Sequence, residues 1–441
     1  MHTEFLVVGA GIAGLAIAWH LHRAGRSVRV LEAAPRTGGT IRTVHHGEIL
    51  LEQGPQSLRG AGLATARLVD EMGLGGRVVE ASPASNQRFV LVGGRLRALP
   101  SGPGGLLAGG ALKRRAVARL LLEPLQPRGP AEGESIDAFV RRRFGPHIAY
   151  PLIDAFIAGI YAGDATRTEA VSAFPELVEA EQAHGSVLLG MMRRERPERP
   201  DGLPRGAFTF DGGVEVLPRA IHDRLGEVVR TGVAVHEVVP DGGRVRVVAD
   251  DGEHQAEHVI VCTPPRVAAR QVAAWRDALA EVPVAPVAAI HLGWPEGRGP
   301  RMDGFGWLAP SKERSDVLGA IWVSSTFPHL APHMDLLRVM VGGSRAPFLT
   351  ELSERALADH ALEVVRQVQG HTSDPELVQV AVHKPGIPQY VVGHAARRRA
   401  VESALQRVHP LSWGLTGIGL SQGLQAAEDL ASHLIGRPPH P

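Results

Sequence analysis

One stretch limits the fold of this chain more than any other: Glu4 to Gly39, EFLVVGAGIAGLAIAWHLHRAGRSVRVLEAAPRTGG. An apolar run, Phe5-Leu6-Val7-Val8, passes directly into Gly9-Ala10-Gly11-Ile12-Ala13-Gly14. The spacing of Leu15, Ala18 and Leu21 predicts a helix that stops at Gly25, and Val28 to Leu31 predicts a second strand that delivers Glu32 at its end. Strand, glycine turn, helix, strand and acidic residue together make a dinucleotide-binding βαβ unit, not an isolated glycine pattern. Gly9 permits the tight turn, Gly11 lets a pyrophosphate reach the backbone, and Gly14 lets helix and strand pack closely. The pyrophosphate then meets a helix N-terminus, where unpaired N–H groups and the dipole favour negative charge. Glu32 is placed to accept hydrogen bonds from a ribose hydroxyl and would repel a 2′-phosphate.

A chain of 441 residues has room for two or three domains and a large core. Lys and Arg total 47 against 46 for Asp and Glu, a balance that argues against a nucleic-acid partner. Cys262 is the only cysteine, so disulfides and thiolate zinc sites are excluded and a reducing compartment is expected. None of the 21 histidines falls in a metal-site spacing. No run of about 18 apolar residues exists, so no membrane span is expected. The first strand is read to begin within a few residues of Met1, so no signal peptide is expected.

Beyond the first unit, Ile49-Leu50-Leu51 reads as a strand leading to a sharp turn at Glu52-Gln53-Gly54-Pro55-Gln56-Ser57. From Ser82 the character changes: a strand pair turned at Gly93-Gly94 precedes a mainly helical region. Within it, Lys113 to Leu122 is basic on one side and apolar on the other, a pattern that suits either a solvated face or an anionic bilayer surface. Charged, proline-rich Arg193 to Gly206 reads as a surface linker. The dinucleotide domain then resumes, with a helix after Gly212-Gly213, a hairpin turned at Asp241-Gly242-Gly243, and the buried parallel strand Val259-Ile260-Val261-Cys262. An antiparallel sheet follows over Val287 to Gly342, beside a helix from Ser353 to Gln369. Last comes a glycine turn at Gly417 to Leu420 and a helix capped at Ser421. The fold class is therefore α/β: a Rossmann-like domain over 1–80, 207–270 and 385–441, an inserted helical domain over 81–206, and an inserted antiparallel-sheet domain over 271–384.

These segments resemble the flavin-dependent protoporphyrinogen and coproporphyrinogen oxidases of the amine-oxidase-like flavoprotein superfamily. The glycine turn, Glu32 and Gly38-Gly39 belong to the whole superfamily. More specific are Glu52 to Pro55, Gly159-Ile160-Tyr161-Ala162-Gly163-Asp164, Ala173-Phe174-Pro175 with Glu181-Gln182, and Gly386-Ile387-Pro388-Gln389-Tyr390 with Gly393-His394. Amine oxidases usually carry Arg after the second glycine pair, where this chain has Thr40, and several attach flavin through a C-terminal cysteine that this chain lacks. The loop before the C-terminal glycine turn is shorter than is usual in the family.

The resemblance implies non-covalent FAD and a six-electron oxidation of protoporphyrinogen IX to protoporphyrin IX by O₂, with peroxide released, in haem biosynthesis. The alternative substrate is coproporphyrinogen III. Further from the motifs stand other oxidases or desaturases of the superfamily and flavin-free binding proteins of the same fold. No protein side chain is expected as a catalytic group, since the flavin N5 takes the hydride. FAD contacts carry over to Gly9, Ala10, Gly11, Ile12, Ala13, Gly14, Glu32, Gly39, Arg42, Gly54, Pro55, Gln56 and Ser57, with Val235 at the adenine and Ile418, Gly419 and Leu420 at the flavin end. Substrate contacts carry over to Arg88 for a propionate, Gly163 for a backbone carbonyl, and Leu308, Ile321 and Met340 for apolar walls. His291, His383 and His394 read as structural. The expected partners are the porphyrinogen and O₂ in the cytoplasm. A peripheral contact with the cytoplasmic face of the membrane, a homodimer and hand-over to a ferrochelatase stay open.

Overall fold

The computed structural model of the chain describes residues 2–59, 62–99, 119–146, 149–194, 202–313 and 316–436. It forms two compact units, one of Met1–Glu80, Pro197–Val282 and Ala396–Pro441, the other of Ala81–Arg196 and Pro283–Ala395. Of the stretches singled out in the sequence, residues 113–118 and 195–201 lie outside the described residues.

The first unit is built on a seven-stranded sheet. Strands Val229–Thr231, Val28–Glu32, His2–Val8, Gly252–Val261 and Val408–Pro410 run parallel, and Arg244–Ala249 with Val235–Asp241 extend the sheet as an antiparallel hairpin. Both faces of the parallel part are covered, which is why Phe5-Leu6-Val7-Val8 is apolar throughout and does not alternate. Phe5 and Val7 join a core with Leu15, Ala18 and Leu21 of the helix Ile12–Arg23 and with Leu424 and Ala427 of the helix Leu420–Leu434. Leu6 and Val8 join a separate core with Val259, Val261 and Trp275 on the opposite face. The cap of the terminal helix lies two residues earlier than the sequence suggested. Gly419 is its N-cap, its N–H donating to Gln422 Oε1 at 3.1 Å, while Ser421 Oγ donates to the Arg59 carbonyl instead of capping.

The second unit holds another seven-stranded sheet, in the order Leu377–Pro388, Val284–Pro295, Met334–Gly342, Val317–Trp322, Gly306–Leu308, Phe89–Val92, Arg95–Ala98. The hairpin turned at Gly93-Gly94 thus continues the sheet formed by residues 284–388, through a parallel pairing of Phe89–Val92 with Gly306–Leu308. One sheet face is closed by the helix Glu354–Gln369, whose Leu357, Ala361, Val364 and Val365 meet Ile290, Trp307, Ala320 and Val339. Ser353 accepts from the Ala356 N–H, and Gly370 in the left-handed region ends the helix. The helical part of this unit is tied by a buried ionic cluster. Arg143 pairs with Glu123 and Glu181, Arg142 pairs with Glu134 and Glu181, and Glu123 accepts from Ser186 and the Val187 N–H at the start of the helix Val187–Arg193.

Candidate cofactor and substrate sites

At the carboxyl ends of the parallel strands the first unit encloses a cavity of about 390 Å³, a size usual for ligand sites. Its floor follows from three glycines. Gly9 adopts φ +100°, a left-handed conformation that L side chains resist. A Cβ on Gly14 would sit 2.0 Å from the Gly9 carbonyl oxygen, so only glycine lets the helix start there. A Cβ on Gly11 would meet nothing within 4 Å, so the backbone is left bare toward the cavity that Gly11 lines. Gly38 folds over this turn, its N–H donating to the Ala10 carbonyl at 2.8 Å.

Glu32 ends its strand with the carboxylate held by two backbone amides, Ala10 N–H at 2.6 Å and Ala34 N–H at 2.8 Å. The second lone pairs of both oxygens are left for a ligand hydroxyl. Gln271 accepts from Thr263 Oγ1 at 2.7 Å and donates to the Val235 carbonyl at 2.8 Å, which fixes the chain at Ala234-Val235 against the cavity. Burial, with the Glu32 charge nearby, pushes the Cys262 thiol well above its usual range, so the cavity wall carries a neutral thiol. The N-terminal turn of Leu420–Leu434 closes another side. A bare-backbone cradle, two helix N-termini and one carboxylate at a strand end fit an extended dinucleotide with a pyrophosphate in its middle.

Of the residues foreseen for the cofactor, Gly9, Gly11, Ile12, Ala13, Gly14, Glu32, Gly39, Val235, Ile418, Gly419 and Leu420 line this one cavity. Ala10 is fully buried and serves through its N–H on Glu32. Arg42, Gly54, Pro55, Gln56 and Ser57 are not among the lining residues. Gly54 stands behind the wall, where a Cβ would lie 2.0 Å from the carbonyl oxygen of Thr40, a lining residue. Sequence reasoning missed Cys262, Thr263 and Gln271. The signal was present, since a buried parallel strand that ends in Pro264-Pro265 brings its carboxyl end to the ligand side of such a sheet.

In the second unit, pairing across the sheet sets Leu308 opposite Gly319 and Gly319 opposite Met340, with Ile321 opposite Gly306 and Arg338 in the adjacent row. Leu308, Ile321 and Met340 therefore share one face, away from the core of Trp307, Ala320 and Val339, and all three are half-buried. Helix Asp154–Tyr161 crosses here so closely that a Cβ on Gly159 would come within 2.4 Å of Leu308 Cδ2. Arg88 is exposed, its guanidinium 5.4 Å from the centre of the Phe305 ring. Gly163 is buried just after Ala162, which ends that helix at φ +49°.

The long motifs turn out to hold architecture. Gln389 donates to the Tyr161 and Ile387 carbonyls and accepts from Ser344 Oγ. Tyr390 packs on Tyr161 and stacks on His394 with ring centres 4.2 Å apart. Glu169 accepts from Ser172 Oγ and from the N–H groups of Gly393 and Ala395. His291 is buried and, by desolvation reinforced by the Arg338 charge, its pKa falls to about 3, so it is neutral. Among the described residues no cluster of three or more His, Cys, Asp or Glu could hold a metal ion.

The family of flavin containing amine oxidoreductases matches residues 12–410. Protoporphyrinogen oxidase of Homo sapiens is 33% identical, with 100% of both chains covered. Coproporphyrinogen III oxidase of Bacillus subtilis (strain 168) is 28% identical, with 98% of both chains covered. Among solved structures, a provisionally assigned protoporphyrinogen oxidase from Exiguobacterium sp. 255-15 superposes with a TM-score of 0.82 at 24% identity over 98% of both chains. Putrescine oxidase bound to putrescine gives 0.75 at 19% identity, covering 99% of this chain and 100% of that one. At these identities the structural likenesses establish the fold alone.

Proposed function

The chain belongs to the flavin containing amine oxidoreductases, and from that premise we propose that it is an FAD-dependent oxidase that converts a porphyrinogen to its porphyrin at the expense of O₂, in haem biosynthesis. The observation that carries the reading is the cavity around Gly11 and Glu32, built for a dinucleotide, in a chain matched end to end by oxidases of protoporphyrinogen and coproporphyrinogen. FAD supplies a hydride acceptor that O₂ can reoxidise.

The chain's own residues bind, orient and shield. Gly11 and the helix N-terminus behind it receive the pyrophosphate, and Glu32 takes the adenosine ribose. Gly417 to Leu420 bring a second helix N-terminus to the cavity, and its partial positive charge would hold the flavin end and favour negative charge there. Half-buried Leu308, Ile321 and Met340 offer an apolar floor to the macrocycle, and Arg88 pairs with a propionate. No side chain is assigned as a base, because pyrrole rings already activate the carbon–hydrogen bonds that break.

A peripheral membrane contact belongs to the same reading. Leu121, Leu125 and Met192 are 75%, 77% and 82% exposed: Leu121 lies just before the turn Glu123–Leu125, Leu125 on it, and Met192 on the helix Val187–Arg193 that packs against that turn. Arg193 and Arg194 flank them, a mixture that suits an anionic lipid surface. No described helix is long and apolar enough to cross a membrane. Co-sedimentation with phosphatidylglycerol vesicles should fall in Leu125→Asp/Met192→Asp protein, and unchanged sedimentation contradicts the contact.

Oxidation itself is tested aerobically. Purified protein given protoporphyrinogen IX or coproporphyrinogen III should generate fluorescent porphyrin together with peroxide. Absence of both products with both substrates would refute the function.

A further inference from the structure

One buried side chain on the cavity wall has no part in cradling a pyrophosphate. Gln271 is 5% exposed, and both ends of its amide are engaged: Oε1 accepts from Thr263 Oγ1 at 2.7 Å, and Nε2 donates to the Val235 carbonyl at 2.8 Å. Val235 begins Val235–Asp241, an edge strand of its sheet. The residue before it faces the neighbouring chain, since the Ala234 carbonyl accepts from the Asp250 N–H and the Ala234 N–H donates to Asp250 Oδ2. Successive residues of an antiparallel strand turn their backbone groups to opposite sides, so Val235 turns its N–H and its C=O to the open edge. The register then shifts between Val235 and Glu237, which sets this residue apart from the regular ladder.

Val235, Gln271 and Val267 all line the cavity that Glu32 lines, and Val267 and Gln271 share one face of the helix Pro265–Gln271. The chain is tied to Glu32 on its way to this wall: the Val233 N–H donates to the Glu32 carbonyl at 2.9 Å, two residues before Val235. A nucleotide whose ribose meets the Glu32 carboxylate would therefore bring its base to Val235, with the apolar side of Val267 beside the ring. Val235 offers such a base its N–H donor and, because a carbonyl has two lone pairs, one acceptor position beside the Gln271 amide. Adenine answers this pair with N1 as acceptor and its exocyclic amino group as donor. Hypoxanthine presents the reverse, an N1–H donor beside an O6 acceptor. Gln271 holds the direction of the Val235 carbonyl, and Thr263 holds the direction of the Gln271 amide.

Resting on the FAD assignment made above, we propose that Gln271, oriented by Thr263, is the positioning residue that makes this cavity select adenine as the base of its dinucleotide. The test titrates the apoprotein with FAD and with flavin hypoxanthine dinucleotide, followed by flavin fluorescence, so no porphyrinogen is involved. Wild type should bind FAD roughly tenfold or more tightly than the hypoxanthine form, because a donor–acceptor pair is reversed. Gln271→Glu keeps the length and the Thr263 contact but sets an acceptor against the Val235 carbonyl. Its dissociation constant for FAD should rise about tenfold, and the ratio between the two dinucleotides should fall toward one. Thr263→Val, of the same shape without the hydroxyl, should move the ratio in the same direction, and Thr263→Ser should recover part of it. A residue that serves only the fold would weaken both dinucleotides by one factor and leave the ratio intact. That result overturns the proposal, as does a wild type that binds the two alike. Should Gln271→Glu fail to fold, the two Thr263 variants decide by the same ratio. A wild type that binds neither dinucleotide fails one level earlier, at the cofactor, and takes the proposal with it.

Discussion

The carbonyl oxygen of Gly9 and the α-carbon of Gly14 are packed so closely that a methyl group on Gly14 would overlap that oxygen at 2.0 Å. The cofactor cradle is therefore held open by the absence of one side chain. Gly14→Ala must push the helix Ile12–Arg23 away from the turn, at a cost typical of overpacking, about 1–3 kcal/mol. The purified variant should be colourless or nearly so, and its absorbance near the flavin bands checks this. Gly11→Ala is the contrast: its Cβ meets nothing in the protein, so it should fold normally and lose affinity for FAD alone.

Glu32 is held by the Ala10 and Ala34 amides with its remaining lone pairs facing the cavity. Removing its charge with Glu32→Gln weakens a charge-assisted bond to the ribose, which contributes about 1.5–3 kcal/mol. The dissociation constant of FAD should rise roughly ten- to a hundredfold. Fluorescence titration of the apoprotein measures it.

Arg88 is exposed, so the propionate pairing proposed for it would be screened and would contribute about 1 kcal/mol. Arg88→Ala should raise KM roughly fivefold with kcat unchanged. Steady-state assays with either porphyrinogen check this, and a loss confined to kcat would contradict the assigned role.

Acid should unfold the protein through two groups in the second unit. Burial opposes charge on Glu181, yet hydrogen bonds from Arg142 and the Gly129 N–H outweigh it and hold the carboxyl below its ordinary range. A carboxylate lowered in this way stabilises the fold above its unfolded pKa and loses that contribution as pH falls through the folded value. His291 works in the same direction: unfolded protein binds its proton near pH 6.5, but the folded protein resists it down to about 3. Tm should therefore drop steadily from about pH 6.5 downward. His291→Gln should flatten the upper part of that slope, measured by calorimetry across pH.

Breaking the buried cluster is a separate test of stability. Glu123 and Arg143 are fully buried, and Glu123 also accepts from Ser186 and the Val187 N–H. Glu123→Ala leaves buried Arg143 with Glu181 alone, removes the acceptor of the Ser186 hydroxyl and the Val187 N–H, and should cost about 3–5 kcal/mol. Chemical denaturation of the variant reads this directly.

How far the sequence carried these conclusions varied with the range of the interactions. The βαβ unit was legible because strand, turn, helix and Glu32 are contiguous, and each glycine has a local steric duty. Leu308, Ile321 and Met340 could be named from family motifs, but their common face depends on register between separate strands. The motifs around Gln389 and Tyr390 carry the family resemblance in sequence, and in the structure they secure Tyr161 and the end of its helix. Ser421 had the composition of an N-cap, but Gly419 and Gln422 took that position.

The central claim, that flavin in the Gly11–Glu32 cavity oxidises a porphyrinogen, is tested most directly by anaerobic titration of the flavin-loaded protein. Adding protoporphyrinogen or coproporphyrinogen should bleach the oxidised flavin band, and admitting air should restore it as porphyrin fluorescence grows. A flavin band that stays unbleached with both substrates would contradict the account.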